Sequence, residues 1–269
     1  MDEDLIFRTD LYRGTAAFYD RYRPPYPDAL IADLVACAHV RSDTRLLDLA
    51  CGTGQVSLPL AAHCAEVLAV DQEPETVAFA RDKAAGAGVD NVEWIAARAE
   101  DIAPSEHFDL VTIGSAFHRL PRPRIADLAL QWLRPRGHLA LLWSGTPADG
   151  PRAWQRELHD FYADWITRVD ATDRVPAGLE QAFAERPHVQ ILRDAGFEIV
   201  ERYELVEPCV WGLESLAGYV YSTSFLPLSV LGDRRAEFEA DLERRLLAVE
   251  PSGRFADDAS YAYDLALRP

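Results

Sequence analysis

The chain has 269 residues, 49% of them hydrophobic and 26% charged, which is the balance of a folded globular protein and excludes a disordered or fibrous chain. Its 44 acidic side chains outweigh 27 basic ones to give a net charge of −17, a field that repels a phosphate backbone and so speaks against nucleic acid, although such charge also simply aids solubility. The acidic start MDEDLIFR does not read as a signal peptide, and no apolar run approaches the roughly 18 residues of a membrane span.

Cys37, Cys51, Cys64 and Cys209 are scattered without a CxxC pair, so free thiols in a reducing cytoplasm are expected and a clustered zinc site is not. His63–Cys64 reads as a helix end, and no metal site is expected.

Residues 9–22 read as a helix carrying Tyr12, Phe18, Tyr19 and Tyr22, and they lead into the stiff proline-rich RPPYP (23–27). RLLDLA (45–50) is a continuous apolar strand. VSLPLAAHCA (56–65) reads as a helix with Pro59 tolerated in its first turn, and EVLAVD (66–71) is a second strand. PETVAFARDKAAGAG (74–88) is a helix started by Pro74 and stopped by Gly86 and Gly88. Strands follow at 92–97 and 108–114, then a helix at 122–135 and a fifth strand, GHLALLW (137–143). Strands this uniformly apolar are buried on both faces, and their alternation with helices predicts a parallel α/β sheet.

Residues 147–187 break the alternation with aromatics, charges and short helical stretches, as expected of an inserted lid. A helix at 187–195, a strand at 197–208, helices at 213–222 and 232–249 and a β-like YAYDLAL (261–267) complete the chain. The division expected is a helical cap over 1–27, a cofactor-binding core over 28–146, a lid over 147–187, and returning strands with substrate-side helices over 188–269.

LLDLACGTGQVSL (46–58) carries a strand into a glycine-rich turn that opens a helix. It lacks the lysine of a Walker loop, and Ser57 stands where a dinucleotide turn has its third glycine. Asp48 at the mouth of the turn would repel a pyrophosphate and favour positive charge, while Gly52 and Gly54 permit close approach to the backbone. A nucleoside joined to a cationic group meets these demands. Asp71, at the end of the second strand, stands where an acid binds ribose hydroxyls in open α/β sheets, or else it caps the helix that Pro74 begins.

DLACGTG (48–54) followed by AVD (69–71) resembles the class I S-adenosylmethionine-dependent methyltransferases, and the resemblance runs over roughly residues 12–145. RAEDI (98–102), FDLVTIGSAFHRL (108–120), LRPRGHLALLW (133–143) and YDRYRPPYP (19–27) match further motifs of that family in order. The resemblance implies a Rossmann-like, doubly wound, mostly parallel seven-stranded sheet with an antiparallel C-terminal strand and a helical lid. It implies S-adenosylmethionine as cofactor and S-adenosylhomocysteine as product, held by Asp48, Ala50, Gly52, Gly54, Asp71, Gln72, Ala99, Glu100, Gly114, Tyr12 and Arg23. Two departures stand out: Arg98, where many members have an adenine-binding acid, and Arg119, where relatives often carry tryptophan.

The reaction implied is methyl transfer in a dry, aromatic-walled site. Phe117 is expected beside the methyl group, Tyr12, Tyr19 and Tyr22 in the wall, and His118 either as general base or as a support of its loop. His107 and His138 read as structural. The acceptor is expected between the N-terminal helix, the 147–187 insertion and Trp211–Phe225. The aromatics there (Trp154, Phe161, Tyr162, Trp165, Trp211, Tyr219, Tyr221 and Phe225) either line its pocket or form the lid's own core.

A small-molecule acceptor is expected, with no nucleic-acid or membrane partner, and self-association into a homo-oligomer stays open. The resemblance points to N- or O-methylation of a bacterial secondary metabolite, with N-methylation in antibiotic, lincosamide-like pathways among the options. The alternatives are a methyltransferase-fold cyclase or isomerase that keeps its cofactor, a non-catalytic binding module, and a nicotinamide dehydrogenase, which Ser57 and Asp48 disfavour.

Overall fold

A computed structural model describes residues 7–8, 10–105 and 107–269; the first six residues of MDEDLIFR, and Thr9 of the expected first helix, lie outside the described residues. Seven strands form one sheet: β1 (Arg45–Leu49), β2 (Glu66–Asp71), β3 (Val92–Ala96), β4 (Phe108–Gly114), β5 (Leu133–Ser144), β6 (Glu198–Trp211) and β7 (Phe255–Leu267). Their order is β3-β2-β1-β4-β5-β7-β6. The first five are parallel, and β7 runs antiparallel to both β5 and β6. The doubly wound sheet with its antiparallel C-terminal strand is the arrangement expected.

The helices are α1 (Ala16–Tyr22), α2 (Asp28–Cys37), α3 (Ser57–Ala61), α4 (Pro74–Gly86), α5 (Arg122–Trp132), α6 (Ala153–Arg168), α7 (Leu179–Glu185), α8 (His188–Ala195), α9 (Leu213–Tyr221), α10 (Leu228–Leu231) and α11 (Arg235–Val249). Consecutive strand residues serve opposite faces. Leu46, Val67 and Leu110 pack with α2, α3 and α4, whereas Leu47, Val111 and Leu139 pack with α5 and α8. Both faces are covered, so period-2 alternation is erased and the strands read as apolar runs.

Several elements differ from expectation. Helix α2 was not anticipated, although Pro27 precedes it and Leu30, Ile31 and Leu34 give it a buried stripe. Helix α1 begins only at Ala16, after a turn in which Gly14 takes φ +75°. Strands β6 and β7 are longer than expected and pair from Glu198–Leu267 to Trp211–Phe255.

The lid does not stand alone. Trp154, Phe161 and Trp165 of α6 share one core with Trp211, with Tyr219 and Tyr221 of α9, and with Phe238 of α11. The helical unit is thus made by two segments, one between β5 and β6 and one between β6 and β7. Most of the lid aromatics are its own core: Phe161 and Trp165 are fully buried, and Trp165 Nε1 is spent on Asp241. Among the described residues no helix is long and apolar enough to cross a membrane, and the four cysteines are free thiols.

Candidate active site

The connections from the neighbouring strands β1 and β4 leave in opposite directions, and ligands of open α/β sheets bind in the crevice this creates. A cavity of about 340 Å³ lies at that point. The backbone there is unusual. Ala50, directly after β1, takes φ +52°, and Ser115, directly after β4, takes φ +50°; both line the cavity. Left-handed conformations at non-glycine residues store strain and cluster at functional sites.

The glycine turn contributes Gly52 and Thr53 to the wall. Gly52 takes φ +55°, and a Cβ there would meet open space, so the turn leaves an uncrowded cradle. Its N–H donates to Asp71 Oδ2 at 3.0 Å, and Glu73 N–H donates to Asp71 Oδ1 at 2.9 Å. Burial raises the Asp71 carboxyl above its ordinary value, and the N–H groups of Glu73, Gly52 and Gln72 oppose the rise. The N-cap of α4 is Glu73 and no side chain caps it, so the helix-cap alternative for Asp71 is not what is seen. Gln72, Ala99, Glu100, Gly114, Tyr12 and Tyr19 also line the cavity. The Glu100 carboxylate receives Arg98 Nε at 2.8 Å, which ties the departing Arg98 to its neighbour.

Other expected residues lie elsewhere. Asp48 does not face the cavity and is fully buried. Its Oδ1 accepts from Thr112 Oγ1 at 2.8 Å and its Oδ2 from Ser57 Oγ. Burial pushes its carboxyl up to about 6, against those hydroxyls. A carboxylate aimed at a cationic ligand is therefore corrected to an internal clamp joining β1, β4 and α3, and Ser57 holds that acid where a third glycine was missing. Gly54 is also outside the lining: a Cβ there would meet Trp94 Cη2 at 2.9 Å and Leu58 Cγ at 3.1 Å, so packing requires it.

Phe117 is buried in the α5–α8 core, edge-on to His188 at 5.2 Å, and not in the cavity wall. His118 packs on Phe183 at 6.1 Å, outside the lining, and burial lowers its imidazole to about 3, helped by Arg119 and His188. Arg23 donates to Ser222 Oγ at 2.8 Å and packs on Tyr19 at 4.9 Å and Tyr219 at 4.4 Å, joining the cap to α9. Tyr22 donates to Glu214 and covers Gly218.

Two polar groups of the wall were not assigned from sequence. Thr53 Oγ1 is buried without a hydrogen-bond partner, and so are Nε and Nη1 of Arg119. A hydroxyl between two motif glycines was the available signal for the first, and the arginine in place of tryptophan for the second. Buried polar atoms are normally satisfied, so both fit a ligand that supplies the missing partner. This wall fits S-adenosylmethionine, which Asp71 would meet at the ribose hydroxyls, Ala99 and Glu100 at the adenine, and Gly52, Thr53 and Gly114 along its length.

Sheet order and cavity define a Rossmann-like α/β fold with a crevice at its topological switch point. A family model described as a methyltransferase domain matches residues 46–137. A demethylmenaquinone methyltransferase of Clavibacter sepedonicus is 36% identical over 172 residues, 60% of this chain and 68% of the relative. An uncharacterized methyltransferase of Mycobacterium tuberculosis is 32% identical over 141 residues, 52% of this chain and 54% of the relative. The chain thus spans about half the length of the first curated relatives it matches. A 23S rRNA (uracil(1939)-C(5))-methyltransferase of Shewanella sediminis is 43% identical, but only over 67 residues, 25% of this chain and 15% of the relative.

Among solved structures, one assigned to the methyltransferases, from Anaeromyxobacter dehalogenans, superposes with a TM-score of 0.63 at 22% identity and covers 91% of this chain and 97% of that one. A Thiobacillus denitrificans S-adenosylmethionine-dependent methyltransferase in complex with S-adenosylhomocysteine gives 0.53 at 17% identity, over 94% and 97%. The [4+2]-cyclase SpnF gives 0.54 at 21% identity, over 92% and 84%. The chain belongs to the class I S-adenosylmethionine-dependent methyltransferases, and S-adenosylmethionine is its cofactor.

Proposed function

We propose that the protein transfers a methyl group from S-adenosylmethionine to a small-molecule acceptor. The observation that carries this reading is the pairing of Gly52 N–H with Asp71 at the mouth of the cavity, which fixes a carboxylate toward a nucleoside. When bound, the cofactor supplies a methyl group already activated by a sulfonium charge. The task left to the chain is to position and desolvate, and orientation alone is worth up to about 7–11 kcal/mol.

Asp71 orients the nucleoside through its unspent acceptor capacity, and the Gly52 cradle lets the ligand lie against the backbone. Tyr12 and Tyr19 close the cap side with aromatic faces that exclude water and favour a cation. His118, neutral at ordinary pH and packed away from the cavity, is poorly placed and too weakly basic to take a proton. That favours an acceptor that needs no proton removed by His118, such as the lone pair of a neutral amine or an already ionised oxygen. The narrower reading, N- or O-methylation of a bacterial secondary metabolite, rests on motif style and belongs to this proposal, as does the absence of a nucleic-acid partner, which rests on the net charge of −17.

Incubation with methyl-labelled S-adenosylmethionine and a panel of small aromatic acids, phenols and amines tests it. The expected result is labelled product with equimolar S-adenosylhomocysteine. Turnover of an acceptor with no S-adenosylhomocysteine released would instead place the protein with cyclases of this fold.

A further inference from the structure

Arg119 ends the short turn Phe117–Arg119 after β4 and forms part of the cavity wall. Its Nη2 donates to Ser224 Oγ at 3.1 Å, in the segment after α9, and its Nε and Nη1 are buried with no partner. The guanidinium packs on the rings of Tyr12 at 5.1 Å and Phe7 at 5.5 Å, which also line the cavity. Of the other cations of this wall, Arg8 pairs with Asp10 at 2.9 Å and Arg98 with Glu100, while Arg124 donates to the Glu100 backbone carbonyl at 3.1 Å. Among the described residues no acid forms an ion pair with Arg119.

A second cation reinforces the field. Arg23 stacks on Tyr19, itself a wall residue, and its hydrogen bonds among the described residues go to Ser222 and Tyr219. In a chain of net charge −17, Arg119 thus brings a guanidinium with unspent N–H donors to the cavity wall. Leaving charged donors buried and unmet costs stability unless something else meets them, and a guanidinium matches the planar, two-oxygen geometry of a carboxylate.

We propose that Arg119 is a specificity-determining residue that receives a carboxylate carried by the methyl acceptor. The proposal rests on the methyltransferase reading above. Arg119 stands where the turn after β4, the cap ring Tyr12 and the helical unit at Ser224 meet, within the cavity wall. The amino-acid end of the cofactor carries the same chemistry, and the test separates the two sources.

Full-length protein saturated with S-adenosylhomocysteine is titrated calorimetrically with benzoate and with its neutral isostere benzamide. The wild type is expected to prefer benzoate by about tenfold or more, the worth of a charged hydrogen bond. Arg119→Gln is expected to abolish the preference while holding S-adenosylhomocysteine within about twofold, and Arg119→Lys to keep only part of it, because a point charge lacks the fork. Equal binding of benzoate and benzamide by the wild type, or a preference that survives Arg119→Gln, overturns the proposal. So does an Arg119→Gln or Arg119→Lys protein that loses S-adenosylhomocysteine but not 5′-methylthioadenosine, which would assign Arg119 to the cofactor's carboxylate. Failure of the wild type to bind S-adenosylhomocysteine at all would count against the methyltransferase reading, and the benzoate preference would then be read on the unloaded protein.

Discussion

The backbone N–H of Gly52 donates to Asp71 Oδ2 at 3.0 Å, which ties the turn after β1 to the acid that ends β2 at the mouth of the cavity. Asp71→Ala removes both that bond and, on the proposed function, the acceptor for ribose hydroxyls. It is expected to weaken S-adenosylhomocysteine by roughly 1–3 kcal/mol, read by calorimetry. Unchanged affinity would show that Asp71 serves the turn alone.

The two motif glycines separate by role. Gly54→Ala puts a methyl group 2.9 Å from Trp94 Cη2 at φ +81° and is expected to lower stability in urea by about 1–3 kcal/mol, with ligand affinity retained. Gly52→Ala meets no protein atom within 4 Å, so its methyl group fills the cradle instead. It is expected to lose affinity by more than it loses stability. The reverse ranking would contradict the assignment of Gly54 to packing and Gly52 to the site.

Asp48 gives the protein a defined pH dependence. Its folded carboxyl titrates at about 6, above the unfolded value of 3.8, so the native state binds the extra proton between those limits. Its contribution is therefore most favourable below about pH 4, falls as pH rises to 6 and is flat above, a loss of up to about 3 kcal/mol. Asp48→Asn keeps an acceptor for Ser57 or Thr112 and removes the titration. Urea unfolding of both proteins from pH 4 to 7 should show the variant gaining on the wild type across that window. Parallel curves would contradict a buried, titrating Asp48.

His118 is expected to stay neutral well below the usual imidazole range, because burial and nearby cations oppose its charging. Its imidazole proton resonances should stay flat from pH 8 to about 5, where an exposed histidine would titrate fully. His118→Gln is accordingly expected to leave the shape of the pH–rate profile unchanged. Titration near 6.5 and loss of an acidic limb in the variant would restore the general-base reading.

Much of this was legible in the residues because apolar strands, proline starts and glycine stops report backbone geometry directly. The doubly wound, mostly parallel seven-stranded sheet with its antiparallel C-terminal strand followed from pattern and resemblance, which also named Gly52, Asp71 and Glu100, residues that line the cavity. Asp48 was misplaced because position at a strand end does not say which way a side chain points. Its partners Thr112 and Ser57 come from β4 and α3, and only tertiary structure brings them together. Phe117 and His118 were drawn toward the cavity by their motif, whereas α7 and α8 supply the rings, Phe183 and His188, that pack against them. The aromatics of 154–165 and 211–225 could not be sorted by composition, because a ring that fills a core and a ring that lines a pocket have the same sequence signature.

Calorimetric titration of the purified chain with S-adenosylhomocysteine, with NADH as control, tests the central claim most directly. The account predicts micromolar binding of S-adenosylhomocysteine and none of NADH, since Asp48 and Ser57 build an internal clamp in place of a pyrophosphate-binding glycine turn. Silence with S-adenosylhomocysteine, or comparable binding of NADH, would contradict it.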